Sequence, residues 1–236
     1  MSNTRIEILD NGYIELIDMW GSDQSIVEAA RMSTNKEFKG WGTPENPGDE
    51  KLLAFLWRNN HATPFEMAGA QIEVKAPIFV FREWHRHRTQ SYNEMSARYT
   101  PLPDENYMPS VERLISVNAG TTNKQAAGVD QKQVSEEDAL AWMANLASAY
   151  GMAQRVYEQG LTLGIPKELA RLPVPVSRYS RMRAQANLRN WLGFLTLRMA
   201  PNAQWEIRQY ADALHKILSE IFPRTLSLFD EGRSKL

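Results

Sequence analysis

The chain contains no cysteine. That zero removes disulfides, thiolate metal sites, iron–sulfur clusters and every thiol-nucleophile mechanism in one step. Also missing is any run near the ~18 consecutive apolar residues that a bilayer-spanning helix needs. The start, MSNTRIEILDNG, has no apolar stretch behind a basic one, so a soluble, unexported, cytoplasmic protein is expected. No Gly-x-Gly-x-x-Gly or Gly-x-x-x-x-Gly-Lys-[Ser/Thr] run occurs, and any phosphate must be held by side chains rather than by a glycine-rich loop. Charge excess is absent too: 27 Lys+Arg stand against 28 Asp+Glu for a net −1, which argues against a protein devoted to coating nucleic acid.

What is present is ordinary for a globular chain: 236 residues, 43% apolar, 10% aromatic and 23% charged. One domain over 1–236 with a sizeable core is expected. A helix is predicted around Ser25–Arg31, a Gly/Pro/Asn-rich loop over Gly40–Gly48, and an apolar run at Leu52–Trp57. Gln71–Ala76 alternates polar and apolar residues as a half-buried strand does. Pro77 then opens a helix through Trp84 that delivers Arg86, His87 and Arg88 near its end. Val117–Gln133 reads as a long surface loop, and a helix runs from the Ser135 cap to Gly160. Further on come a short helix from Pro166 to Ala170, an extended Leu172–Val176, and helices over Ala184–Leu197 and Ala203–Phe222.

Charge is unevenly placed. Between Glu168 and Glu206 lie six arginines (171, 178, 181, 183, 189 and 198) and no Asp, Glu or Lys. Guanidinium forks match phosphate and carboxylate oxygens, so this window reads as an anion site, against the plainer view that some of these arginines pair with acids distant in sequence. A second cluster, FREWHRHRTQSYNEMSARY at 81–99, carries Arg82, Arg86, Arg88 and Arg98 with Glu83 and Glu94. Its amide, hydroxyl and aromatic side chains complete the parts of a pocket for an aromatic, phosphorylated ligand.

Other chemistries fit poorly. His85-x-His87 with His61 could suggest a metal, but the flanking arginines would repel a divalent cation, and no metal is expected. A phosphatase-type histidine nucleophile would want glycine where Arg88 stands. Ser96 lacks the Gly-x-Ser-x-Gly setting of an activated serine. Stacking of single-stranded bases on the Trp and Tyr residues is a further alternative, disfavoured by the neutral total charge.

Several segments resemble one family. Arg86-His87-Arg88 followed by Ser96, within RHRTQSYNEMSARY, looks like the signature of flavin-dependent thymidylate synthases. The upstream HATPFE at 61–66, the joining KAPIFVFREW, and the later ELARLPVPVSRY, QANLRNWLGFLTLRM and AQWEIRQYA resemble the same family in order and spacing. The resemblance implies an α+β fold, a single domain with a small, mainly antiparallel sheet packed by several helices. It implies methylation of dUMP at C5 with methylenetetrahydrofolate as carbon donor and FAD, reduced by NADPH, as hydride donor. A homotetramer is implied as well, with no nucleic acid or membrane partner. The missing cysteine agrees, because the other kind of thymidylate synthase adds a cysteine to C6.

By the same resemblance, Arg198 would be catalytic, stabilising ionised uracil N3, and Arg171 would help bind dUMP. Glu83, Trp84, His85, Arg86, Glu94, Met95, Ser96, Ala97 and Arg98 would surround the nucleotide. His61, Thr63, Arg86, His87, Arg88, Glu94, Asn187, Leu188, Arg189 and Gly193 would meet the flavin. Three positions depart from the family's habit: Glu83 where Gln is frequent, Gly193 where some members use Asn, and Asn202 where some have His. The competing class is a nucleotide- or single-strand-binding module with the same arginines and no turnover.

Overall fold

The computed structural model describes residues 5–43, 45–116 and 133–233. Its strands are β1 (Arg5–Ile8), β2 (Gly12–Trp20), β3 (Gly69–Pro77), β4 (Ser91–Glu94) and β5 (Tyr179–Asn187). Its helices are α1 (Asp23–Met32), α2 (Glu50–Arg58), α3 (Ile78–Trp84), α4 (Val111–Ser116), α5 (Glu136–Thr162), α6 (Lys167–Ala170), α7 (Leu188–Arg198), α8 (Trp205–Ile221) and α9 (Pro223–Arg233), with a 3-10 turn at Thr63–Glu66. The loop expected over 117–133 lies, apart from Gln133, outside the described residues.

All five strands pair antiparallel in the order β1-β2-β3-β5-β4, so the architecture is the expected α+β. The central pair runs without a register break from Gly69 opposite Asn187 to Pro77 opposite Tyr179. Side-chain alternation gives this sheet two chemically different faces. Ile14, Ile72, Val74, Met182 and Ala184 are buried, while Arg181, Arg183 and Gln185 are exposed. The apolar face joins Phe81, Trp84, Trp191, Phe194, Ile207 and Leu214 in one core. Each such side chain contributes about 1.5–3 kcal/mol by leaving water. At Gly12 an added Cβ would overlap the Tyr210 hydroxyl, which donates to the Lys75 carbonyl at 2.8 Å. Glycine there lets α8 close on the β1–β2 hairpin.

Most predicted elements stand within a few residues of their expected ends. Ser135 caps α5 by accepting from Asp138 N at 3.0 Å. Two expectations are corrected. Ala184–Asn187 is strand, with α7 starting only at Leu188 after the Asn187 cap. Alanine's helix propensity suggested otherwise, but Arg-Met-Arg-Ala-Gln-Ala alternates at period two, and burial of Met182, Ala184 and Ala186 decides the outcome. Leu172–Val176 is folded into turns rather than extended: Leu172 N reaches Leu169 O, Val174 N reaches Arg171 O, and Arg178 N reaches Pro175 O. The two prolines cannot supply ladder amides, and local turns take up the carbonyls instead.

Helix α9 was not foreseen, because its cap comes from the far end of the chain. Asp23, itself buried, accepts from Arg224 N at 2.9 Å, Thr225 N at 3.1 Å and Thr225 Oγ1 at 2.6 Å. Two of the helix's orphan amides are thereby satisfied by one carboxylate. Replacing it leaves them buried, so Asp23→Ala is expected to lose about 2–3 kcal/mol in urea unfolding, and Asp23→Asn clearly less.

Candidate active site

The handover from β3 to α3 builds the first part of the site. Pro77 ends the ladder, Ile78 N and Phe79 N donate to Arg178 O and Val176 O at 3.0 and 2.9 Å, and α3 buries Val80, Phe81 and Trp84. The turn after it is pinned from two sides. Trp84 Nε1 donates to Gln90 Oε1 at 3.0 Å, and the Tyr92 hydroxyl donates to His87 O at 2.7 Å. Arg86 and Arg88 are thereby left exposed on a fixed turn.

Arg198, the last residue of α7, reaches back to this turn. Its Nε donates to His87 Nε2 at 2.8 Å, its Nη1 to Glu83 Oε2 at 2.8 Å and its Nη2 to the Glu83 carbonyl at 3.2 Å. A guanidinium only donates, so His87 Nε2 accepts and the neutral ring carries its proton on Nδ1. Burial, then the Arg198 charge, pushes His87 down to about 4, with Glu83 opposing. Phe194 packs edge-on against the ring at 4.8 Å. Glu83 thus faces a cation of its own chain.

A separate cavity of about 500 Å³ is lined by Arg82, Glu94, Met95, Ser96, Ala97 and Arg171 among others. Arg98 sits beside it on Glu168 at 3.2 Å. A smaller space of about 260 Å³ holds His61, Arg189 and Gly193, and another of about 420 Å³ shares His61 and adds Thr63. The structure thus brings Glu94, Met95, Ser96, Ala97 and Arg171 together, but within one chain Arg198, His87 and Glu83 lie outside that cavity's lining. Trp84 and Leu188 are fully buried, so any ligand contact there would go through backbone atoms. Asn187 Oδ1 is committed to capping Asn190 N at 2.9 Å. His85 Nε2 lies 3.2 Å from Met182 Sδ.

Five of the six arginines in the acid-free window pair with distant acids. Arg178 meets Asp104, Arg181 and Arg183 meet Glu73, Arg189 meets Glu66, and Arg198 meets Glu83. The anion reading of the whole window is therefore corrected, and Arg171 alone keeps it in simple form. With Arg82, Arg86 and Arg88 it forms no ion pair or side-chain hydrogen bond to the described residues. Arg82 was missed as a lining residue, although its place in the 81–99 cluster was the signal. Among the described residues no group of three His, Asp or Glu is arranged to hold a metal.

Comparison with known proteins places the chain in a family. A family model described as thymidylate synthase complementing protein matches residues 15–224. The chain belongs to this family. The flavin-dependent thymidylate synthase of Thermus thermophilus is 40% identical over 96% of this chain and 78% of its own, and that of Thermosipho africanus is 39% identical over 94% and 92%. A crystal structure of the UMP/dUMP methylase PolB from Streptomyces cacaoi bound with 5-Br dUMP superposes with a TM-score of 0.82 at 32% identity, covering 96% of this chain and 97% of that one. Gly193, in the space shared with His61 and Arg189, leaves room where an added Cβ would meet nothing within 4 Å.

The His87 environment makes a pH prediction. A histidine pushed to about 4 in the fold binds its proton more readily unfolded, so the fold loses stability as pH falls from about 6.5 towards 4. Thermal melts of the chain and of His87→Gln should run parallel at pH 7–8, with the unsubstituted chain losing more on acidification.

Proposed function

We propose that the chain is a flavin-dependent thymidylate synthase, methylating dUMP at C5 to give dTMP with methylenetetrahydrofolate as carbon donor and FAD, reduced by NADPH, as hydride donor. One observation carries this reading: exposed guanidiniums with no protein partner, those of Arg82 and Arg171, line a cavity holding Ser96, while Arg198 of α7 is locked onto the signature turn that carries Arg86 and Arg88. The flavin-dependent thymidylate synthases at 37–40% identity over nearly the full chain point the same way.

The donor set suits FAD. Arg86, Arg88 and Arg189 offer forks to a diphosphate, and the spaces around His61 and Gly193 are open to receive a flat ring. When bound, the reduced flavin supplies the hydride. The chain's own residues do the rest. Arg86, Arg98 and Arg171 take the nucleotide phosphate, and Ser96 positions it. Arg198 stabilises negative charge on the uracil ring, which raises electron density at C5 without a sulfur nucleophile. Three of its five N–H bonds are spent on His87 and Glu83, leaving two for the base. The cytoplasm, where reduced nicotinamide and folate are kept, is the setting such a reaction requires.

Completion of the site by further copies is a reading that α5 supports. At about 100° per residue, Trp142, Met152 and Val156 of its exposed large apolar residues, with Leu163 at its end, fall within about an 80° arc, and Leu140 of the first turns lies outside it. An apolar stripe of that kind on a long helix is an association surface. A homotetramer would cover it and bring Arg198 of one chain to the Ser96 cavity of another.

Purified protein loaded with FAD should oxidise NADPH and form dTMP when dUMP and methylenetetrahydrofolate are supplied; loss of flavin absorbance on gel filtration and no dTMP would leave the binding-module reading. UMP run in parallel tests the wider substrate range that the PolB description names. Arg198→Ala should keep flavin absorbance while dTMP formation falls at least ~100-fold, because its contribution is made in the transition state. Trp142→Glu combined with Val156→Glu should sediment as a single chain and purify without flavin.

A further inference from the structure

The contacts of Arg198 are unequal in kind. Nε is held by a neutral ring, Nη2 by a backbone carbonyl, and only Nη1 by a charge, the Glu83 carboxylate. Burial is unequal as well: the Arg198 side chain is 16% exposed and that of Glu83 44%. The cation is thus the more buried partner, held from three sides, and the carboxylate the more exposed one. Other charged and titratable groups nearby do not change this balance. His87 is neutral, the Tyr92 hydroxyl lies on the His87 and Trp84 carbonyls at 2.7 and 3.3 Å, and Arg233 of α9 donates to the Met199 carbonyl at 3.2 Å.

A carboxylate so placed acts in two opposed ways on a base bound at the free N–H bonds. As an acceptor it fixes the plane of the fork. As a charge it partly cancels the guanidinium, so a uracil ring losing its N3 proton to solvent sees less positive potential than Arg198 alone would give. We propose that Glu83 is a positioning residue that orients Arg198 and, through its charge, sets the pH at which the bound pyrimidine ionises at N3. This rests on the reading of Arg198 as the partner of the uracil ring. A like charge about one guanidinium width beyond the base, at an effective dielectric near 20 and screened by its exposure to solvent, shifts such an ionisation by about half to one pH unit.

Glu83→Gln separates the two effects, because the amide oxygen still accepts from Nη1 while the charge is gone. The probe is 5-bromo-dUMP, whose bromine makes N3 more acidic and whose ultraviolet spectrum reports N3 ionisation without turnover. Difference absorbance of the nucleotide bound to the FAD-loaded full chain is titrated with pH. Glu83→Gln is expected to lower the midpoint by about half to one unit and Glu83→Asp, which keeps the charge, to leave it within a few tenths of the unsubstituted value. Arg198→Ala should raise it. A Gln variant whose midpoint matches the parent, while Arg198→Ala still raises it, overturns the proposal and leaves the Arg198 reading standing. A Glu83→Asp midpoint that moves with the Gln variant overturns the charge argument in the same way. An Arg198→Ala midpoint equal to the parent's overturns the reading of Arg198, and the role of Glu83 falls with it.

Discussion

The ladder between β3 and β5 is the constraint on which the rest depends. Nine residue pairs run in register, and each strand hands over directly to a helix at its own end: Pro77 to α3 and Asn187 to α7. Those two helices carry Glu83 and Arg198, which lie 115 residues apart in sequence and 2.8 Å apart in space. Side chains in a strand alternate strictly, so a slip of one residue would turn Met182 and Ala184 out of the core and draw Arg181 and Arg183 into it. The core face therefore enforces the register, and the register enforces the distance between α3 and α7. Trp84 and Phe194 then lock the helices together at a ring separation of 4.5 Å.

The polar face of the same sheet explains why so many arginines can coexist. Arg181 and Arg183 share Glu73 with the Tyr13 hydroxyl, which lies 2.8 Å from the carboxylate. Arg178 is fully buried and is held by Pro103 O at 2.6 Å, Gln154 Oε1 at 2.8 Å and Asp104 at 3.2 Å. Burial lowers its pKa; the acceptors take up Nη1 and Nη2, while the buried Nε has no hydrogen-bond partner among the described residues. These forks tie strand, loop and α5 together. Within the two arginine-rich stretches, those left over, at Arg82, Arg86, Arg88 and Arg171, are exposed and lie at or beside the Ser96 cavity or on the signature turn. Division of labour among the arginines thus follows from which of them have an acid across the fold.

That division marks the limit of what the sequence made legible. Local signals were readable: the alternation in β3, Pro77 before α3, the Ser135 cap and the amphipathic stripe of α8 all appear as their side-chain patterns require. The signature residues Glu94, Met95, Ser96 and Ala97 are contiguous, and local chain geometry keeps them together in one cavity. Long-range pairings were not readable. The acid-free window looked like one anion site because Glu66, Glu73, Glu83 and Asp104 lie far outside it. Helix α9 was hidden for the same reason, since its cap is Asp23. Ala184 and Ala186 misled because alanine is neutral about strands and the sheet supplied the deciding burial.

The separation of Arg198 from the Ser96 cavity within one chain has a consequence for catalysis without sulfur. A cysteine nucleophile acts through a covalent bond and needs only its own chain's geometry, whereas polarisation of the ring depends on a cation placed within a few ångströms of the developing charge. If the nucleotide lies in one chain's cavity and the polarising fork comes from another, the free protomer has affinity for phosphate but no means of activating C5. Association through α5 then becomes part of the chemistry. In such an arrangement the three bonds on Arg198 would matter most, because they hold the fork oriented before any ligand arrives.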